Sequence, residues 1–338
     1  MQRFAAEQLI SDLYKNALGR NPGSAEYENW VNAAINDPSP EKIVRAFYQS
    51  DEYLRKNVVH STFPAGHYHS PVVDPNTVKD YVAKERSAEV RSLLGIHLDV
   101  DAMRKLWLQH LPFIRATPFT DEANSSNRYN YLGGPYPCGD AIILRMMIHL
   151  LRPRQIIEIG SGYSSACILD SAEHALLPDL KLTCIEPYPE RLLSLLRAGD
   201  LKSITLIERP VQAVPESIVD KLGRRDILFI DSTHVMKTGS DVHYEFFHLL
   251  PRLAPGVIVH IHDVGFPFEY PDPWIFESNY SWNEAYALRA FLMFNNEFRV
   301  IFWNSLFAVS HGASIRNEYP VFLRNPGSSI WIERIARR

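Results

Sequence analysis

Cysteine is scarce in this chain. Cys138, Cys167 and Cys184 are widely spaced and odd in number, which suits a reduced protein and offers neither a disulfide framework nor the paired spacing of a zinc site. No stretch reaches the roughly 18 apolar residues of a membrane span. The segment Met1-Gln-Arg-Phe-Ala-Ala-Glu-Gln8 lacks the long apolar core of a secretory leader, so a cytoplasmic location is expected. A large charge excess is also missing: the formal net charge is -4, which gives no electrostatic reason to expect nucleic acid or an anionic membrane as partner. A few arginines (Arg334, Arg337, Arg338) gather at the end, as a short solvated run. There is no internal repeat, no low-complexity tract and no G-x-x-x-x-G-K-[ST] phosphate loop.

What remains is ordinary globular composition, 46% hydrophobic and 22% charged over 338 residues, long enough for one main domain and an appendage. In residues 1–58, Phe4, Leu9, Ile10, Leu13, Tyr14 and Leu18 recur at helical spacing up to a stop at Gly19-Arg20-Asn21-Pro22-Gly23. Ser24 opens a second helix through Tyr27, Trp30, Val31 and Ile35, ended by Asn36-Asp37-Pro38. Ser39-Pro40-Glu41 opens a third, with proline in a first-turn position. The pattern Leu13-Tyr14 to Leu18-Gly19-Arg20-Asn21-Pro22, with Trp30 and Phe47-Tyr48-Gln49-Ser50-Asp51-Glu52-Tyr53, resembles a helical module of unknown function. That module recurs in bacterial surface proteins and beside glycan-modifying enzymes. The resemblance implies interaction with a protein partner or self-association, not chemistry.

Residues 59–130 read as a connecting or lid region. It holds the turn-rich Pro64-Ala65-Gly66-His67-Tyr68-His69-Ser70-Pro71, helices over 76–94 and 100–111 with Asp99 or Asp101 as cap, and a polar loop over 121–131. From 131 to 338 the chain alternates strand and helix. Strands are expected at 155–159, 181–186, 203–208, 226–231 and 256–262. Two late β-rich runs, 299–303 and 329–332, would close the sheet with an antiparallel strand. The fold class is therefore α/β, a Rossmann-like, doubly wound and mostly parallel sheet, preceded by a small all-α domain.

The central stretch is Gln155-Ile156-Ile157-Glu158-Ile159-Gly160-Ser161-Gly162-Tyr163-Ser164-Ser165. An apolar strand runs into two glycines that allow a sharp turn and close approach of a ligand to the backbone, and a helix follows. The dinucleotide fingerprint wants a third glycine, where this chain has Ser165. An acid, Glu158, precedes the turn, and the next strand ends at Glu186, placed to take both hydroxyls of a ribose. A carboxylate beside the turn suits a cofactor with a cationic amino-acid tail and repels a pyrophosphate. This points to S-adenosylmethionine (SAM) rather than NAD.

Methyl transfer from a sulfonium is a displacement that chiefly needs alignment. A hydroxyl acceptor also needs its proton removed, by a base or by a metal that lowers its pKa. The carboxyl ends of the fourth and fifth strands carry Asp231, with His234 close behind, and His262-Asp263. His262 and Asp263 are the first candidates for the chemistry and His234 the next. Phe266-Pro267-Phe268-Glu269-Tyr270-Pro271-Asp272-Pro273-Trp274 reads either as a loop that covers substrate or as a hydrophobic loop packed under the helix at 282–294. Asp241 is read as a helix cap.

From Gly133 to Asn304 the chain resembles class I SAM-dependent methyltransferases. The motifs are Ile157 to Ser165, Ile185-Glu186-Pro187-Tyr188-Pro189-Glu190-Arg191, Asp226 to His234, Gly239-Ser240-Asp241-Val242, and His262 to Pro271. The run Pro64 to Pro71 is similar to the lead-in of one bacterial branch. The resemblance implies that Glu158, Gly160, Ser161, Gly162 and Tyr163 line the methionine end. It further implies that Glu186 and Pro187 hold the ribose, that Val211 and Gln212 lie near adenine, and that Asp231 also faces the cofactor. In catechol-type relatives, acids at matching strand ends hold magnesium. Here Asp231 and Asp263 are present but His262 stands for one carboxylate, which leaves a softer divalent ion or no metal as alternatives. His67 and His69 are weaker candidate ligands. The expected activity is O-methylation of a saccharide or secondary-metabolite hydroxyl. The alternatives are a scaffold protein that keeps the fold without turnover, and a nicotinamide enzyme.

Overall fold

The computed structural model describes residues 2–36, 40–50, 52–53, 63–87 and 93–336. The expected stop and start at Asp37-Pro38 and Ser39, part of the helix expected over 76–94, and Arg337 and Arg338 lie outside the described residues. The chain divides into two compact units, Met1–Asp74 and Pro75–Arg338.

In the first unit, α1 (Arg3–Leu13) runs through one wider turn, Tyr14–Leu18, and stops at Gly19 in the left-handed region (φ 61). Glycine takes that conformation without the steric penalty of a Cβ. Helices α2 (Ser24–Asn36) and α3 (Pro40–Tyr48) follow. Their apolar faces meet in a small core of Ile10, Tyr14, Leu18, Val31, Ala34 and Phe47, with Tyr14 edge-on to Phe47 at 5.0 Å. Further along this unit, His67 and His69 share a tight turn in which the His69 N–H donates to His67 Nδ1 at 3.1 Å.

The second unit opens with α4 (Lys79–Arg86) and α5 (Val100–Arg115). The first is much shorter than the sequence predicts, because the Ser87 hydroxyl donates to the Lys84 carbonyl at 2.7 Å, a local bond that competes with helix continuation. Asp99 caps α5, accepting from the Ala102 N–H at 2.8 Å, and α5 carries Pro112 within its length. Then come α6 (Cys138–Leu151), β1 (Gln155–Ile159), α7 (Tyr163–His174), β2 (Lys181–Ile185), α8 (Glu190–Leu195), β3 (Ile204–Ile207) and β4 (Ile227–Ile230). They are followed by α9 (Asp241–Tyr244), β5 (Ile258–Ile261), α10 (Glu284–Leu292), β6 (Phe298–Trp303), α11 (Asn304–Glu318) and β7 (Ile330–Arg334).

The sheet order is β3-β2-β1-β4-β5-β7-β6. The first five strands are parallel and β7 lies antiparallel between β5 and β6. β4 and β5 are buried along their whole length, which is why Ile-Leu-Phe-Ile reads as an unbroken apolar run; β5 buries His260 as well. Each large apolar side chain buried there, such as Phe229, contributes about 1.5–3 kcal/mol. The strand order reverses between β1 and β4, and at such a switch point the loops diverge and leave a crevice at the carboxyl ends.

Candidate active site

The crevice is a cavity of about 410 Å³, lined among others by Gly160, Ser161, Gly162, Tyr163, Glu186, Asp231, His234, His262 and Asp263. Its floor is the turn after β1. Gly160 has φ 82, and a Cβ there would stand 1.8 Å from the Asp231 carbonyl oxygen. Only glycine fits where β1 and β4 splay. The Gly160 N–H donates to the Ile185 carbonyl at 3.1 Å and the Asp231 N–H to Ile159 at 2.9 Å, locking the turn to both neighbouring strands.

Glu158 lies beneath this turn, fully buried and outside the cavity lining. The Gly162 N–H donates to Ser165 Oγ at 3.0 Å, and that hydroxyl donates to Glu158 Oε2 at 2.5 Å. Burial pushes the Glu158 carboxyl up to about 7, against the serines that stabilise its charge. Ser165, at the position of a third glycine, thus ties the acid to the turn.

Glu186 is fixed by two backbone donors, Ser161 N–H at 3.1 Å and Tyr188 N–H at 2.8 Å. Pro187, Val211 and Gln212 are not among the lining residues. Val211 is buried, and the Gln212 side chain donates to the Gly239 carbonyl at 3.0 Å.

Also on the lining, Asp231, His262 and Asp263 each offer a ligand atom, all within 4.8 Å of one another. Asp263 has φ 56 and accepts from Ser328 Oγ at 3.2 Å. His262 Nε2 is 3.5 Å from Asp263 Oδ1, and its Nδ1 is 3.9 Å from Asp140 Oδ2. Burial lowers His262, but Asp263, Asp231 and Asp140 more than offset it and raise the imidazole above its ordinary value. Asp231 is raised by burial, against the pull of His262 and His234.

His234 takes a left-handed backbone (φ 60). Its carbonyl accepts from the Asn283 and Glu284 N–H groups at 3.1 and 3.2 Å. Its Nδ1 is 2.8 Å from buried Glu284, and Nε2 stands 3.6 Å from both Asp231 and Asp263. Burial pulls the imidazole down, yet Glu284 and the two aspartates raise it to about 9.

Sequence reasoning missed Asp140, Glu284, Trp282 and Arg191. Asp140 is fully buried on α6, accepting from Asn304 Nδ2 at 2.9 Å and from the Ser329 N–H at 3.1 Å. A lone acid inside Cys138-Gly-Asp-Ala-Ile-Ile-Leu144 was the available signal. Trp282 lines the cavity, 4.3 Å from the His234 ring. The stretch from Phe266 packs inward instead: Phe268 is buried against Trp303 at 4.5 Å, and Tyr270 Oη accepts from the Ala285 N–H at 2.9 Å. Asp241 accepts from the Thr233 N–H and hydroxyl at 3.0 and 2.6 Å, while Ser240 caps α9.

A methyltransferase-domain family model matches residues 157–264, and a domain of unknown function (DUF4214) matches residues 2–57. A relative from Archaeoglobus fulgidus, itself uncharacterised, is 33% identical over 171 residues, 47% of this chain and 73% of the relative. Similar solved structures include the O-methyltransferase TomG from Streptomyces achromogenes, in complex with SAM. It is 19% identical, with coverage of 75% of this chain and 98% of that one and a TM-score of 0.39. The SAH-bound methyltransferase PaMTH1 from Podospora anserina is 16% identical, covering 82% and 100%, with a TM-score of 0.40. An O-methyltransferase from Bacillus cereus, also with SAH, is 11% identical, covering 78% and 100%, with a TM-score of 0.38.

Over residues 157–264 the chain belongs to the SAM-dependent methyltransferases. The cavity suits their cofactor. Beside the glycine turn Ser161 Oγ is buried with no hydrogen-bond partner among the described residues. Among those residues no helix is long and apolar enough to cross a membrane.

Proposed function

We propose that this protein is an O-methyltransferase acting on a hydroxyl of a saccharide or secondary metabolite. The observation that carries the reading is the convergence of Asp231, His262 and Asp263 in the same cavity that Glu186 and the glycine turn line. In this reading Glu186, oriented by two backbone donors, takes the ribose diol, and Gly160, Ser161, Gly162 and Tyr163 face the methionine. Glu158 acts from beneath by stiffening the turn, and Asp231 faces the sulfonium end. Val211 and Gln212 are assigned to the adenine side, with Pro187 shaping the ribose loop.

His262 removes the acceptor proton. Its elevated basicity fits a base that works near neutral pH, and Asp263 beside Nε2 favours the imidazolium that forms. Aligning oxygen, methyl and sulfur in line supplies much of the rate. The acid-base cluster also fits a second reading of how the proton is lost. Two carboxylates and an imidazole suit a divalent ion softer than magnesium, which would lower the hydroxyl pKa. The helical unit is read as a docking or self-association element.

His262→Ala tests the base. Turnover should fall by a factor of about 10² or more with SAM affinity retained. Unchanged turnover would remove His262 from the mechanism, and activity that follows added divalent ion would favour the metal reading.

A further inference from the structure

The cavity lining combines three carboxylates, Glu186, Asp231 and Asp263, with two imidazoles and a single guanidinium, Arg191. SAM is cationic at sulfur and at its amine, and the carboxylates match both. Its α-carboxylate is the group that such a cavity repels, and an isolated carboxylate near like charges needs a cation of its own.

Arg191 is the second residue of α8, just after the loop that follows Glu186. Its side chain comes down over the glycine turn, with Cδ 3.1 Å from where a Cβ of Gly162 would be. It also acts electrostatically on Asp231 at the methyl end. The Arg191 side chain therefore stands beside the glycine turn, the segment that faces the methionine in the reading above. Among the described residues it takes part in no hydrogen bond or ion pair, Arg191 contributing only its backbone carbonyl to Ser194. It is exposed at the cavity mouth. A planar fork of donors suits a carboxylate in the two-bonded mode.

We propose that Arg191 is the residue that binds the α-carboxylate of the cofactor, and so makes the site specific for an intact amino-acid tail. The inference rests on the cofactor assignment above. Its test is equilibrium binding by calorimetry of the full chain and of Arg191→Met and Arg191→Lys, with SAM and with decarboxylated SAM, which lacks only that group.

The wild-type chain should prefer SAM by about 10- to 100-fold, the range of a charge-assisted pair. Arg191→Met should abolish the preference while leaving the affinity for the decarboxylated analogue unchanged, which also shows that the variant folds. Arg191→Lys should keep part of the preference. Equal weakening of both ligands in Arg191→Met, or unchanged SAM affinity, would overturn the proposal. A wild-type chain that binds neither ligand would overturn the cofactor assignment itself.

Discussion

At Gly160 one missing Cβ lets β1 turn against the Asp231 carbonyl, and the adjoining Ser161 N–H is then free to hold Glu186. Asp140 shows the opposite economy, a full carboxylate placed where solvent cannot reach it. Burial raises it from the ordinary 3.8 to about 6, against the pull of His262. A carboxyl raised in the folded state costs stability that grows as pH climbs from about 3.8 to about 6 and is fully present above that. Asp140→Asn removes this cost while keeping an oxygen for Asn304 and Ser329. The variant should gain on the order of 1–2 kcal/mol at pH 8 and nothing at pH 4. Its turnover should fall about tenfold, because the Nδ1 side of His262 then faces no charge. Thermal unfolding at the two pH values together with steady-state rates checks this. A variant less stable than wild type only at pH 8 would contradict it.

At the scale of elements, strands were the most legible part, because a run apolar on both faces has few alternatives to a parallel sheet. The antiparallel closure was also legible, from the two late β-rich runs that follow the parallel strands. Helix ends were less so: Ser87 stops α4 early, and α5 runs past Pro112. The polar stretch at 121–131 hid a buried arginine. The Arg128 side chain is 3% exposed and paired at 2.7 Å with Asp170 and Asp200 from α7 and the β3 side. Nothing local in the sequence marks such a partnership, since its acids lie 42 and 72 residues away.

In the helical unit, Arg20 bonds both Glu26 and Glu52 at 3.0 and 2.5 Å. Arg20 holds the Glu26 carboxyl down at about 2, so this contribution is present above about 4.5 and is lost as pH falls through about 2. Exposed pairs contribute little individually. Arg20→Ala should therefore speed hydrogen exchange in α1–α3 by less than about tenfold at neutral pH, with exchange in β1–β5 unchanged. No change in α1–α3 would show the network to be idle.

Across the whole molecule, the parts of the site legible in sequence were those that motif spacing puts at strand ends: Gly160, Gly162, Glu186, Asp231, His262 and Asp263. The residues that escaped reach the cavity from elsewhere in the fold. Asp140 and Glu284 stand behind His262 and His234 from α6 and α10, and Trp282 walls the cavity just before α10. Their contribution exists only after the sheet has brought distant helices to one crevice. A scaffold that merely kept the fold would have no need of two imidazoles, each faced by a buried acid, beside a ribose-ready carboxylate.

Calorimetric titration of the wild-type chain and of Glu186→Ala with SAH tests the account at its centre. Saturable binding by wild type, weakened about tenfold or more by Glu186→Ala, is the predicted result. No binding by wild type, or equal binding by both, would contradict it.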